Sequence, residues 1–120
     1  MNKVHALYNF WSGFDLKAYD ETHVPDGAAL PYITYESATD ELNRKVALTA
    51  SLWYRSESWE QIELKQLEIA QFIGRGGVLV AYDGASVWVA KGSPWAQRMA
   101  DSSDEMIRRI VLNVEVEFLD

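Results

Sequence analysis

The chain contains no cysteine. That excludes a disulfide framework, a thiolate metal site and a cysteine nucleophile, and it leans towards a reducing compartment. Histidine is nearly as scarce: His5 and His23 stand alone, eighteen residues apart, and neither has the spacing of a metal ligand or an acid–base pair. Both read as ordinary structural or solvated histidines. Basic charge is thin as well. Eleven Lys and Arg face eighteen Asp and Glu, a formal net charge of −7. Divided at residue 60, the halves hold 5 basic against 9 acidic residues and 6 against 9, so no cationic half hides behind the total. A phosphate-backbone binder needs a concentrated cationic patch. None is visible. The longest aliphatic run, Val78–Tyr82, is far too short to cross a bilayer. Asn9, Ser12 and Gly13 interrupt the first residues before they reach the apolar length of a signal peptide. These features describe a soluble, cytosolic chain.

What is present is an ordinary globular composition with many aromatics. The 120 residues are 48% hydrophobic and 24% charged, with five Trp, six Tyr and four Phe. That length suits one domain, 1–120, able to bury roughly two-thirds of the surface its unfolded form exposes. So many aromatics exclude a disordered tail.

Periodicity divides the chain. Val4, Leu7, Tyr8 and Trp11 recur at helical spacing and predict one face of a short helix that Ser12-Gly13 ends. Residues 14–30 lack a period, contain Asp20-Glu21, Pro25 and Asp26-Gly27, and read as a long surface connection. From Pro31 the period becomes two, and Tyr32–Glu36 predicts a strand. Ser37–Lys45 is polar and reads as a turn. In Val46–Arg55, one face collects Val46, Leu48, Ala50, Leu52 and Tyr54. Ser58 and Gln61 have the spacing of a capping box for a helix from Trp59 to about Ile73, whose core side carries Trp59, Ile62, Ile69, Ala70 and Ile73. Gly74-Arg75-Gly76-Gly77 stops that helix. Two strands follow, Val78–Tyr82 and Ser86–Lys91, joined at the hairpin signal Asp83-Gly84. Residues 92–106 read as irregular or partly helical. The last strand, Arg109–Leu119, sends Ile110, Leu112, Val114, Val116 and Phe118 to one side. The expected fold is α+β: a mainly antiparallel sheet of about five strands with two helices packed on one face.

Catalytic motifs are hard to find. The Gly74–Gly77 run follows a helix and opens a strand, the reverse of a phosphate loop, so it reads as a helix stop. Asp101, Asp104 and Glu105 are acidic neighbours, but they lack the alternating oxygens and turn glycine of a calcium loop. No nucleophile elbow and no zinc-protease motif occurs. The reading is therefore of a protein without a cofactor or a catalytic centre. What exceeds the needs of one small core is apolar surface. Leu64 falls opposite the core side of the second helix, with Leu67 and Phe72 well off it, while Trp95, Met99 and Met106 stand among polar residues. Several large apolar side chains on one small domain point to a partner surface, here Leu64, Leu67, Phe72, Trp95 and Met99. For Trp95 a second outcome is equally open, that it tucks back onto its own sheet.

A family resemblance runs along almost the whole chain. It rests on Tyr8-Asn9-Phe10-Trp11-Ser12-Gly13-Phe14, Val24-Pro25, Leu30-Pro31-Tyr32-Ile33-Thr34-Tyr35 and Leu48-Thr49-Ala50-Ser51-Leu52-Trp53-Tyr54-Arg55. It continues through Ile73-Gly74-Arg75-Gly76-Gly77, Asp83-Gly84, Val87-Trp88-Val89, Ala96-Gln97-Arg98-Met99 and Ile107-Arg108-Arg109-Ile110. In their order and spacing these segments resemble the small tail-terminator or minor capsid proteins of long-tailed bacteriophages and prophages of Gram-positive bacteria. The resemblance implies a structural virion protein, a homo-oligomer that forms a hexameric ring, caps the tail tube and meets the neck. Its partners would be copies of itself, the tail-tube protein and a neck protein, with DNA only passing through the lumen. It implies assembly in the bacterial cytoplasm and no catalytic residue. A head-closure or head–tail joining role, and a small enzyme or ligand-binding domain, are the alternatives.

Overall fold

The computed structural model describes residues 3–37, 45–82, 85–100 and 103–119. Its elements are α1 (Lys3–Trp11), a 3-10 turn (Ser12–Phe14), β1 (Lys17–Asp20), β2 (Tyr32–Tyr35), β3 (Lys45–Arg55), α2 (Glu60–Ile73), β4 (Val78–Tyr82), β5 (Ala85–Met99) and β6 (Ile107–Leu119). The fold is α+β, and among the described residues the strands number six where periodicity predicts five. They form one sheet in the order β1-β2-β3-β6-β5-β4, with every neighbouring pair antiparallel except β1 and β2.

The centre is the pairing of β3 with β6, which runs unbroken from Lys45 opposite Glu117 to Arg55 opposite Ile107. Leu48, Ala50, Leu52 and Tyr54 are buried on one face of β3, as the alternation predicts, and they meet Val114, Leu112 and Ile110 of β6. Alternation of the apolar residues over so many positions is what fixes register, because a one-residue slip would turn that apolar set to solvent. The helices lie on this same buried face. α2 packs on β3, β5 and β6, while α1 lies against β1 and β4, the two edges of the sheet. One short helix meets both edges because the sheet curls, and α1 fills the gap between them.

Four expectations need correction. β1 lies inside the stretch expected to be an aperiodic connection. Only Ala18 of its four residues is buried, so too little alternation exists to reveal it. In α1 the buried residues are Ala6, Leu7, Phe10 and Trp11, whereas Tyr8 is 46% exposed. The core line is thus rotated from the expected one, because the aromatic pair Phe10 and Trp11 goes inward together with Phe14 of the following turn. The chain leaves the helix not through a left-handed glycine at Ser12-Gly13 but through that turn, whose left-handed residue is Asp15, at φ 61°. Finally, β5 does not end at Lys91. It shifts register between Lys91 and Ala96 and continues beside β6 to Met99. The irregularity, with Gly92 and Pro94 inside it, hides this second half from a two-residue period.

Other local signals hold. The capping box is the exception: α2 begins at Glu60, the N-cap position is Trp59 with no side-chain cap, and Ser58 Oγ accepts the Glu60 N–H at 2.9 Å instead of that of Gln61. Ile62, Ile69 and Ile73 are buried as expected. The helix stops at Gly74, φ 76°, whose N–H donates to Ala70 O. Gly77 turns the chain into β4 at φ 96°, and any Cβ there would come within 2.8 Å of the Trp88 ring. Tyr82 opposite Ala85 leaves two residues for the hairpin connection, Asp83-Gly84, which lies outside the described residues. So does most of the turn expected at 37–45. No helix among the described residues is long and apolar enough to cross a membrane.

Candidate interaction surfaces

The outer side of α2 carries exposed aliphatic residues. Leu64 is 59% exposed and Leu67 49%, both turned from the core that Ile62, Ile69 and Ile73 enter. Phe72, 54% exposed, has a divided role: its ring stands 5.5 Å from that of Phe14 and 6.1 Å from that of Phe10. It therefore clasps the end of α1 while offering its remaining surface to solvent. Between these residues Lys65 reaches back, donating from Nζ to Phe14 O at 2.7 Å and to Glu68 at 2.9 Å. The apolar surface is held on a helix tied at both its flanks.

The other flank is polar. Arg98 Nε donates to Glu63 Oε2 at 2.7 Å, Gln66 Nε2 donates to Glu63 Oε1 at 3.0 Å, and Trp95 Nε1 donates to Gln66 Oε1 at 2.8 Å. This chain of bonds links β5 to α2. Trp95 is half-buried and packs against the core, so it tucks back onto its own fold. Arg98 also lies over the Trp59 ring, 4.7 Å from its centroid, and Arg108 approaches the same ring at 5.4 Å. Met99 is 42% exposed but belongs elsewhere. Arg98 turns towards α2, so its neighbour Met99 turns to the opposite face of the sheet, beside Arg109. The five residues singled out from the sequence thus divide into three places: Leu64, Leu67 and Phe72 on α2, Trp95 beneath its flank, and Met99 behind the sheet.

Two exposed apolar residues escaped the sequence pattern. Helical spacing places Tyr8 on the core face of α1, yet it is 46% exposed. Leu79, 53% exposed, alternates with the half-buried Val78 and Val80, but Val78–Tyr82 is apolar at every position and so shows no alternation.

The acidic neighbours do not assemble a cation site among the described residues, where no three His, Asp or Glu side chains gather to hold a metal. Asp101 lies outside those residues. Asp104 pairs with Arg55 at 2.6 Å and accepts the Met106 N–H at 2.9 Å, which makes it the brace of the turn entering β6. Met106 in turn accepts the Ser56 N–H at 2.8 Å through its carbonyl.

Asp20, at the end of β1, is a closely held carboxylate. The Thr22 hydroxyl donates to it at 2.7 Å, the Thr22 N–H at 3.0 Å and the Ser37 hydroxyl at 2.7 Å. These donors, the Thr22 hydroxyl first, hold its pKa below the ordinary aspartate value. A depressed carboxylate stabilises the fold above its unfolded pKa and loses that contribution as pH falls through the lower, folded value. Asp20→Asn is accordingly expected to lower the melting temperature near neutral pH and to match the parent in strong acid. Thermal melts across that range check it, and a pH-independent difference would show that the pairing contributes nothing. Burial similarly raises the pKa of Tyr35 and of Tyr54.

Comparison with protein-family models, with curated proteins and with solved structures finds no match to this chain.

Proposed function

We propose that this protein is a ring-forming tail terminator of a long-tailed bacteriophage or prophage. In this reading it acts in the virion, where it caps the finished tail tube and presents a surface to the neck. The observation that carries the reading is the outer side of α2, where Leu64 and Leu67 stand in solvent on a helix braced at both flanks. A contact from that side to a different surface of the next copy is heterologous, and heterologous contacts close into rings when the rotation allows. The resemblance in sequence supplies the identity of the ring. The acidic balance, −7 over the chain, suits a lumen through which DNA must slide, since a wall that attracted phosphates would retain the genome.

The test is assembly. The purified chain, alone and mixed with tail tubes, is expected to give a concentration-dependent species of six times the protomer mass and ring-shaped particles in negative-stain micrographs. Ring particles should seat on tube ends. A chain that stays monomeric at high concentration and leaves tube ends bare would overturn the reading. Binding to the portal side of the head in place of the tube would favour the head-closure role.

A further inference from the structure

The face of the sheet turned away from the helices carries a cavity. Register sets Tyr32, Trp53 and Arg109 in one row across β2, β3 and β6, with Thr34 and Ser51 in the next row. Glu21 and Val24, from the crossover between β1 and β2, complete a cavity of about 250 Å³ over these residues. Thr34 and Ser51 are the buried polar side chains of the described residues. Each hydroxyl already accepts one bond. Trp53 Nε1 donates to Thr34 Oγ1 at 2.9 Å, and Arg109 Nε donates to Ser51 Oγ at 3.1 Å.

A hydroxyl that accepts a bond keeps its own hydrogen as a donor. Neither of these hydroxyls donates to an acceptor among the described residues, and the two Nη groups of Arg109 find none there either. Arg109 has no carboxylate partner among them, unlike Arg55 and Arg98. Its guanidinium lies over the Trp53 ring, 4.6 Å from the centroid, which holds the planar fork in a set orientation. Donors whose hydrogens reach no acceptor among the described residues are matched by a ligand that brings one. We propose that this cavity binds a small planar monocarboxylate. Arg109 receives the carboxylate, the Ser51 and Thr34 hydroxyls donate to it, and Trp53 and Tyr32 cover its apolar body. The volume suits a ligand the size of benzoate. Glu21, the one carboxylate among the described residues lining the cavity, repels a doubly charged anion more strongly than a singly charged one and so disfavours phosphate and dicarboxylates relative to a monocarboxylate. The proposal stands apart from the ring reading.

The experiment is a titration of the isotope-labelled chain with sodium benzoate, followed through the Trp53 indole and Arg109 side-chain N–H signals, with sodium chloride and sodium phosphate as parallel arms. Saturable shifts of both signals with benzoate, absent with chloride and weaker with phosphate, are expected. Arg109→Gln should weaken benzoate about tenfold or more and Ser51→Ala about threefold, with unchanged circular dichroism. A shift that chloride reproduces, or phosphate binding as tight as benzoate, overturns the proposal. So does unchanged benzoate affinity in Arg109→Gln; should that variant fail to fold, unchanged affinity in Ser51→Ala decides against it.

Discussion

Replacing Leu52 with alanine is expected to lower folding stability by about 2–5 kcal/mol, the range for emptying a fully buried leucine site. Leu52 has no exposed surface and sits on the central strand, opposite Ile33 of β2 and Ile110 of β6, which are themselves buried. Strand partners on both sides limit how far the sheet can collapse into the gap, so the cavity persists. Against a typical total stability of about 5–15 kcal/mol, that loss is large. Chemical denaturation should show it as a lowered midpoint, with a melting temperature down by roughly 10 °C or more. Leu64→Ala is the internal control: at 59% exposure it should change stability by no more than about 0.5 kcal/mol. A loss below about 1 kcal/mol at Leu52 would mean that the β2-β3-β6 layer is not the centre of the core.

Leu64→Asp, alone and combined with Leu67→Asp, should abolish ring assembly while leaving the monomer folded. Both side chains stand in solvent, so a carboxylate there is not buried in the monomer and costs it little. In an apolar contact the same carboxylate would lose its hydration without gaining a partner, a penalty large enough to dissolve a modest interface. Circular dichroism and sedimentation of the variant decide the matter together. A folded monomer that no longer forms the ring is the expected result. Intact rings would remove α2 from the interface, and a lost fold would show Leu64 to be part of the core. Phe72 is the less informative position, because its contacts to Phe10 and Phe14 also hold α1 in place.

The parts of this protein that sequence determined by itself are those with a sustained period. β3 and β6 each alternate for a dozen residues or nearly so, and α2 repeats Ile62, Ile69 and Ile73 ahead of a glycine stop. Each such element buries one face, and burial of apolar area is the dominant driving force, so the pattern and the structure agree. The exposure of Leu64 and Leu67 follows from the same winding of α2. Tertiary structure alone decided the rest. β1 is four residues long and exists as a strand because β2 offers it a parallel edge, a partner that no local pattern announces. The second half of β5 is held by β6 across a register shift, and Trp95 is drawn in by Gln66, twenty-nine residues earlier. The Arg109 cavity likewise needs β2, β3 and β6 side by side before Thr34, Ser51 and Trp53 meet. The physical reason is common to all of these. A period reports what one segment buries, whereas strand pairing, bulges and polar clusters depend on groups supplied by another segment, and only the folded chain brings those groups within a bond's length.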